Sequence, residues 1–391
     1  MTGDGARAEA APVILVIGVL TPRRGMEVAL LELAAALARE RPVEIILVHG
    51  PDPGGAPVPV TALPRRGRLR RARALRALLA RRPDATVVLC GLWATAHTVV
   101  AAPRVLPRAV GWEHSLTATR LREAGPRTRL RMHLAGWAYR RARAVVAVSE
   151  EVADTLRASW RAEPVVISNL LPSGLSRVPE PGHHDGNDDG PDGNGGGGRD
   201  GSNGVGQDKN GGGAGGDHPR GDHVGLLTVG ALVPVKNHRL ALQALALLPE
   251  TWTLAVAGTG PEEGKLRELS STLEVDHRVT WLGHVDDVAW HMASANALLQ
   301  PSTSETFGYT LLEAGETHLP VVALDVPVVR DVVPDLAPGL LVADPDPQSF
   351  AGAVHNAVTG TVAWDFAGAD ERRRTRFDRE EVLAEWRRIL G

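Results

Sequence analysis

Residues 301–315 read PSTSETFGYTLLEAG and join two predicted elements of regular structure. The apolar run 295–300 before them predicts a buried strand, and the spacing of apolar residues after Gly308 predicts an amphipathic helix. The serine- and threonine-rich residues between the two predict a turn. Repetition of such strand–turn–helix units along the chain predicts the α/β class.

Two carboxylates lie eight positions apart in this stretch, with Glu305 on the turn and Glu313 about a turn and a half into the helix. The backbone amides of Phe307, Gly308 and Tyr309 are the unpaired donors of the helix N-terminus, which favours anions. This arrangement suits a ligand with hydroxyl groups at both ends and phosphate between them, such as a nucleotide-sugar. An isolated pair of glutamates is more often merely solvated, so the surrounding motifs decide.

The length of 391 residues favours two domains, and an apolar content of 43% is enough for two cores. The single cysteine, Cys90, excludes an internal disulfide and fits a reducing compartment. Its apolar neighbours predict a small core residue. No N-terminal signal is visible, and the apolar run 13–20 is too short to span a bilayer. We therefore expect a cytoplasmic protein.

Residues 1–171 are expected to form an N-terminal, Rossmann-like domain on the acceptor side. Its predicted strands are the apolar runs 13–17, 43–48, 86–90, 105–112 and 144–148. Gly25 lies in the loop after the first strand, where a phosphate can meet a helix start. His114 lies just past a strand end, where ligands bind in open α/β sheets. Its neighbour Glu113 either orients this histidine or is solvated.

Charge is unevenly distributed along the chain. Residues 1–171 contain 26 arginines, no lysine and 14 acidic residues, a net charge of about +12, whereas 172–391 carry about −15. The stretch 65–82 predicts a basic amphipathic helix. Two interpretations stay open for it: a solvated surface helix, or contact with acidic lipid headgroups or an anionic acceptor. Nucleic acid is not expected, because no nucleic-acid-binding module or interleaved aromatic residues accompany the arginines.

Residues 172–222 are rich in Gly, Asp, Asn and His and nearly free of apolar side chains. This composition cannot bury a core and predicts a disordered linker, in which His183 and His184 are solvated rather than metal ligands. Deletion of most of 180–220 should leave folding intact. Residues 223–376 are expected to form a C-terminal, Rossmann-like domain that binds a nucleotide-sugar, and 377–391 a closing helix.

The second domain contains three glycine-bearing turns at predicted strand ends, 230–237 (GALVPVKN), 258–262 (GTGPE) and the turn at 283. A lysine at a strand-to-helix step suits contact with a diphosphate. The glycine after the GTGPE turn is Gly264, one residue late for a dinucleotide-binding fingerprint, which disfavours a dehydrogenase. The residues of interest in these turns are Gly230, Lys236, Gly258, Gly260 and Gly283.

These motifs, in this order, resemble the retaining glycosyltransferases of family 4. The resemblance covers nearly the whole chain outside 1–12 and 172–222 and is strongest over 225–345. It implies a GT-B fold, in which two doubly wound parallel-sheet domains face each other across a cleft. One position departs from the family pattern, because Ala231 stands where an arginine usually contacts the diphosphate. Two alternatives stay open: Arg23, Arg24 or Arg239 makes the contact instead, or the protein binds the donor weakly.

The resemblance implies roles for the site residues. Glu313 would hold the ribose hydroxyls and Glu305 the hydroxyls of the donor sugar, while Lys236 and the amides at the helix start would stabilise the leaving diphosphate. Gly25 would let its loop approach the phosphates, and His114 would contact the sugar from the acceptor side. The expected catalytic residues are Glu305, Lys236 and His114. The expected donor-binding residues are Gly25, Gly230, Lys236, Gly258, Gly260, Gly283, Phe307, Gly308, Tyr309 and Glu313.

The expected reaction moves a hexosyl or N-acetylhexosaminyl group, with retention, from a UDP-sugar or GDP-sugar to a hydroxyl acceptor. The products would be polysaccharides, glycolipids or related glycoconjugates. No metal ion or further cofactor is expected. The first-domain arginines favour a lipid-linked acceptor and peripheral contact with the inner face of the membrane. Two alternatives stay open: a nucleotide-sugar 2-epimerase of GT-B fold, and a non-catalytic nucleotide-sugar-binding protein, which Ala231 alone favours.

Overall fold

The computed structural model describes residues 10–20, 25–117, 121, 124–172, 224–285 and 287–391. Arg23 and Arg24 lie outside the described residues, as do His183, His184 and nearly all of the expected linker 172–222. The predictions made for them therefore stay predictions.

Within residues 10–172, the described part of the first domain contains a parallel sheet of seven strands in the order β3-β2-β1-β4-β5-β6-β7. The strands are β1 Val13–Ile17, β2 Val43–Leu47, β3 Val60–Ala62, β4 Thr86–Cys90, β5 Ala109–Glu113, β6 Ala144–Ala147 and β7 Val165–Val166. Every residue of β1 and β4 is buried. Helices cover both faces of the central strands, which explains why their sequences are continuous apolar runs.

The helices described in the first domain are α1 Gly25–Leu37, α2 Arg68–Ala80, α3 Gly91–Ala101, α4 Pro126–Tyr139 and α5 Glu150–Trp160, with a 3₁₀ turn at Pro103–Arg108. The predicted basic helix is α2, and it packs through the buried Leu75 and Leu79. Ser149 is the N-cap residue of α5, and its hydroxyl accepts a hydrogen bond from the Val152 amide at 3.4 Å.

Among the described residues from 224 onward, six parallel strands form the second sheet in the order β10-β9-β8-β11-β12-β13. The strands are β8 Gly225–Val229, β9 Thr253–Ala257, β10 Val279–Gly283, β11 Ala297–Gln300, β12 Val321–Leu324 and β13 Gly339–Val342. The helices are α6 His238–Leu245, α7 Glu263–Thr272, α8 Val288–Ala293, α9 Tyr309–Glu316, α10 Pro327–Val332, α11 Pro347–Val358, α12 Phe366–Arg376 and α13 Arg379–Leu390, with 3₁₀ turns at Pro234–Lys236 and Asp276–Arg278.

Three elements carry no periodic apolar pattern in their sequences. Strand β3 and helix α10, of three and six residues, are too short to show a periodicity. Helix α12 lacks an apolar stripe, because its only buried described residues are Ala369 and Arg373. The Arg373 guanidinium anchors it instead, donating to Glu316 at 3.0 Å and to the Leu336 carbonyl.

The closing helix α13 packs against the first domain. The Trp386 and Trp112 rings meet edge to face, with centroids 5.0 Å apart, and both side chains are buried. Two ion pairs add to this contact, Arg379–Glu32 at 3.2 Å and Arg387–Glu40 at 2.5 Å. The last helix therefore fixes the second domain to the first.

Candidate active site

A cavity of about 550 Å³ lies between the two domains, at the carboxyl ends of both sheets. The start of α1 and the loops after β5 and β7 supply its first-domain wall. The loops after β8 and β11 and the starts of α8 and α9 supply the opposite wall. This is where ligands bind in open α/β sheets. The first-domain lining is Gly25, Met26, Val28, His114, Asn169 and Pro172. The predicted site residues on the second-domain wall are Gly230, Lys236, Glu305, Phe307, Gly308, Tyr309 and Glu313.

Lys236 and Glu305 form an ion pair in this cavity. The Lys236 Nζ lies 2.5 Å from Glu305 Oε1, and the side chains are 23% and 10% exposed. Lys236 ends the 3₁₀ turn Pro234–Lys236, and Glu305 lies in the loop after β11. The Thr303 amide ties these two loops together by donating to the Val235 carbonyl at 2.9 Å. Both residues were predicted site residues, but their contact with each other was not predicted.

Glu305 is also held from below by the end of strand β11. The amide nitrogen of Gln300 donates to Glu305 Oε1 and, at 3.1 Å, to the Ser302 hydroxyl. Gln300, Ser302 and Glu305 are all buried. Since Oε1 accepts from both Lys236 and Gln300, the carboxylate is fixed in one orientation. Gln300 is not among the site residues predicted from the sequence, although a polar amide at the end of a buried apolar strand is a signal for it.

The N-terminus of α9 opens into the same cavity. Gly308 precedes the helix with φ +86°, a left-handed conformation that turns the chain into α9. The Tyr309 ring packs against Gly25 of the first domain, where an added Cβ would lie 3.3 Å from the ring. The Tyr309 hydroxyl donates to the Leu170 carbonyl at 3.2 Å, and burial raises the pKa of this hydroxyl well above its usual range. Tyr309 therefore joins the two walls of the cavity.

His114 enters from the first domain with a buried ring. Burial lowers the pKa of its imidazole to about 3, so the ring is neutral at physiological pH. The ring lies against Trp112 with centroids 4.5 Å apart. Its Nε2 is buried and has no hydrogen-bond partner among the described residues. A neutral imidazole in this position can donate to, or accept from, a hydroxyl of a ligand.

Glu113 orients the segment that carries His114. Its side chain is 1% exposed, and Oε1 accepts from the amides of His114 and Ser115 at 3.0 and 2.9 Å. The Tyr139 hydroxyl donates to Oε2 at 2.8 Å. Of the two sequence-based interpretations of Glu113, the buried, orienting one agrees with the structure.

The cavity lining includes Gly230 but not Gly258, Gly260 or Gly283. Gly258 and Gly260 allow close backbone packing beneath the site, whereas a Cβ on Gly283, at φ +66°, would meet nothing within 4 Å. A Cβ on Gly258, at φ +147°, would lie 1.9 Å from the Gly230 carbonyl oxygen. The Gly258 amide donates to the Gly283 carbonyl at 2.7 Å. A direct contact of these three glycines with the donor stays a prediction.

Ala231 is exposed beside this packing, and no described cation takes the place of the usual arginine. Arg239 is exposed on α6 and does not line the cavity. Lys236 is therefore the one cationic side chain among the described residues that line the site. In the described part of the chain no cluster of three His, Cys, Asp or Glu side chains can hold a metal ion. The expectation of metal-free chemistry stays a prediction.

Two family models match the two domains. The model for Glycosyltransferase Family 4 matches residues 23–171, and that for Glycosyl transferases group 1 matches residues 219–371. Together with the two sheets and the cleft between them, these matches define the GT-B class of glycosyltransferase. The chain belongs to glycosyltransferase family 4.

Individual relatives match over part of the chain. A D-inositol 3-phosphate glycosyltransferase of Geodermatophilus obscurus is 35% identical over 147 residues, covering 34% of this chain and 33% of the relative. The O-antigen chain mannosyltransferase B of Escherichia coli is 36% identical over 127 residues, covering 31% of this chain and 32% of the relative. The alignments thus span about a third of the length of these curated relatives.

Solved structures match over nearly the full length. The Anabaena protein HepE in complex with UDP and glucose aligns with a TM-score of 0.74 at 18% identity, covering 97% of this chain and 98% of its own. WaaG, a glycosyltransferase involved in lipopolysaccharide biosynthesis, aligns with a TM-score of 0.68 at 18% identity, covering 97% of this chain and 99% of its own. At this identity the likeness shows the fold, and it confirms the predicted GT-B architecture.

Proposed function

We propose that the protein transfers a sugar, with retention of configuration, from a UDP-sugar or GDP-sugar to a hydroxyl acceptor. The observation that carries the proposal is the interdomain cavity. One wall combines Lys236, the amides at the start of α9 and two glutamates, and the other presents His114. Cation and amides suit the diphosphate, and the glutamates suit hydroxyl groups. A hydroxyl acceptor then approaches from the first domain.

The diphosphate lies between Lys236 and the N-terminus of α9 in this proposal. When the donor binds, the Lys236 ammonium turns from Glu305 toward the phosphates. Glu305 stays fixed by Gln300 and accepts from hydroxyls of the donor sugar. As the bond from sugar to diphosphate breaks, negative charge grows on the leaving group, and Lys236 and the helix amides stabilise it. Glu313, further along α9, accepts from the ribose hydroxyls.

His114 contacts the sugar on the side opposite α9. Its low pKa keeps the ring neutral, so it acts as a hydrogen-bond partner rather than a charge. Glu305 and Glu313 both belong to the second domain and therefore do not flank one glycosidic bond as a hydrolase pair does. This placement supports transfer rather than hydrolysis as the main reaction.

The names of relatives support the class of product. One is called alpha-monoglucosyldiacylglycerol synthase and another O-antigen chain mannosyltransferase B. Glycolipid or polysaccharide synthesis is therefore the proposed setting, with the arginine-rich first domain at the inner face of the membrane. Among the described residues no helix has the length and apolar character needed to cross a bilayer.

The test measures nucleotide release from a panel of UDP- and GDP-linked sugars, with and without glycerol- and lipid-linked hydroxyl acceptors. We expect one donor to release nucleotide faster with an acceptor, and NMR of the product to show the donor's anomeric configuration. A new sugar epimer formed from the nucleotide-sugar alone would support the epimerase alternative. Tight nucleotide binding without release or transfer for any donor would contradict the enzyme proposal and favour a binding protein.

A further inference from the structure

A second cavity, of about 560 Å³, lies within the first domain between α2, α3, α4 and the loop after β2. We call it the cationic cavity, because all the ionisable side chains described around it are arginines or histidines. The arginines are Arg68 and Arg71 on α2 and Arg131 on α4, and the histidines are His49 and His97. The rest of its lining is aliphatic: Val48, Ala72, Leu75, Ala96, Val100, Ala101 and Leu134.

The two histidines are in contact at the floor of the cationic cavity. His49 Nε2 lies 3.2 Å from His97 Nε2, and His97 Nδ1 lies 2.8 Å from the Trp93 carbonyl oxygen. A carbonyl only accepts, so Nδ1 of His97 carries a proton. When His97 is neutral, its Nε2 therefore accepts the proton donated by His49. Addition of one proton makes the pair a cation that faces the arginines.

Among the residues that the structure describes, the arginines of this cavity have no carboxylate partner. Among the described residues, Arg68 and Arg131 form no ion pair. Arg71 is held in place by donating to the carbonyls of Pro64 and Arg65 at 3.4 and 2.8 Å. Burial, followed by the charges of His97, Arg71 and Arg131, lowers the pKa of His49. Cations that converge without a counter-charge are the arrangement of an anion-binding site.

Helix α3 connects the cationic cavity to the interdomain cavity. Its first residue, Gly91, lies against Met26: a Cβ added to Gly91 would be 3.1 Å from the Met26 sulfur. Met26 lines the interdomain cavity, and His97, six residues further along α3, lines the cationic cavity. Six residues of helix span about 9 Å. The two cavities are therefore neighbours at the carboxyl edge of the first sheet.

We propose that the cationic cavity binds the phosphate ester of the acceptor, with the aliphatic lining against its carbon chain. This inference rests on the proposed function, since it places the charged end of the acceptor in a cavity next to the proposed transfer site. The phosphate belongs either to a soluble phosphorylated acceptor or to a lipid headgroup. Both sources present the same group to Arg68, Arg71 and Arg131.

The test compares two double variants of the full chain with the same change in charge. R68Q/R131Q alters the cationic cavity, and R73Q/R76Q alters exposed arginines of α2 outside it. Binding of glycerol 3-phosphate and of glycerophosphoglycerol is measured by calorimetry at constant ionic strength. We expect R68Q/R131Q to bind both esters at least about tenfold more weakly than the wild type does. R73Q/R76Q should bind them as the wild type does. Equal effects of the two double variants would overturn the proposal.

A pH series separates the histidine pair from the arginines. Glycerophosphoglycerol carries one fixed charge near neutral pH, so any pH dependence of its binding comes from the protein. Because the pKa of His49 lies below its usual value and a bound anion favours the protonated pair, we expect binding to weaken as the pH rises from 5 to 7. H49Q/H97Q should remove that dependence. A flat profile in the wild type would overturn the role of the pair.

Vesicles identify the source of the phosphate. Vesicles of phosphatidylcholine with about 30% phosphatidylglycerol are compared with pure phosphatidylcholine. A specific loss of vesicle binding in R68Q/R131Q supports a lipid headgroup in the cavity, and retained vesicle binding with lost glycerol 3-phosphate binding supports a soluble ester. UDP binding is measured in parallel with every variant. If UDP binds normally, failure of phosphate binding refutes this site alone and not the proposed donor site.

Discussion

The ammonium group of Lys236 lies 2.5 Å from Oε1 of Glu305, across 69 positions of sequence. The pair joins the turn after β8 to the loop after β11, at the wall of the interdomain cavity. Both charged side chains are largely shielded from water, so solvent weakens their mutual attraction less than at the surface. Under the proposed function, a donor that takes up Lys236 must also satisfy Glu305, which would couple diphosphate binding to sugar binding.

Replacement of Lys236 by alanine should reduce turnover more than donor binding. The lysine is proposed to stabilise charge that develops in the transition state, and loss of one such group costs about 2–4 kcal/mol of barrier. The measurement is kcat for sugar transfer at saturating donor. Lys265→Ala, which removes an exposed lysine from α7, is the matched control and should behave like the wild type. A wild-type kcat in Lys236→Ala would refute the role.

Replacement of Glu313 by alanine should weaken donor binding. Glu313 lines the cavity on α9 and is proposed to accept from the ribose hydroxyls. Loss of hydrogen bonds to a charged group should lower affinity by about tenfold or more. Calorimetry with UDP and GDP measures the dissociation constant. Glu268→Ala, on the exposed face of α7, serves as the control. Unchanged affinity for both nucleotides would remove Glu313 from the donor site.

Substitution of Gly258 by alanine should destabilise the second domain. The added Cβ would lie 1.9 Å from the Gly230 carbonyl oxygen, and φ is +147°. Backbone would have to move, so we expect a loss of about 3 kcal/mol or more in the free energy of unfolding. The control is Gly264→Ala on α7, where a Cβ meets nothing within 4 Å. Urea unfolding that leaves the two variants equally stable would contradict the packing described.

Stability should fall as the pH is lowered from 7 to 5. Burial lowers the pKa of His114 to about 3 and that of His238 to about 4. Below pH 6.5 the unfolded chain binds protons at these positions while the folded chain does not. The stabilisation is therefore complete above pH 6.5 and is lost on acidification. At pH 5 the loss is about 2 kcal/mol for each histidine.

The pH prediction is checked by urea unfolding of the wild type and His114→Asn at pH 7 and pH 5. The asparagine variant should lose about 2 kcal/mol less than the wild type over this interval, because it has no imidazole to protonate. His133→Asn, an exposed position on α4, is the control. An identical loss in the wild type and His114→Asn would show that His114 is accessible to protons in the folded state.

The central strands of both sheets and the two-domain division could be predicted from the chain, because central strands of parallel sheets are continuous apolar runs. Helix α12 could not, since one buried arginine rather than an apolar stripe holds it in place. The predicted set Gly25, His114, Gly230, Lys236, Glu305 and Glu313 does converge on one cavity. Gly258 and Gly260 were predicted to bind the donor because they lie in a glycine-bearing turn at a strand end. In the structure they do not line the cavity and instead allow close backbone packing beneath it.

The sequence by itself determined the α/β class, the sheet-edge position of each motif and the family. Those follow from local pattern, because strand–turn–helix periodicity and the spacing of glycines and glutamates are properties of short segments. Only the tertiary structure decided the contacts between distant segments: Lys236 with Glu305, Tyr309 with the first domain, and Trp386 on Trp112. The first contact depends on β8 and β11 being neighbours in one sheet, and the other two depend on how the two domains pack. Side-chain contacts between segments far apart in sequence leave no periodic signal in either segment.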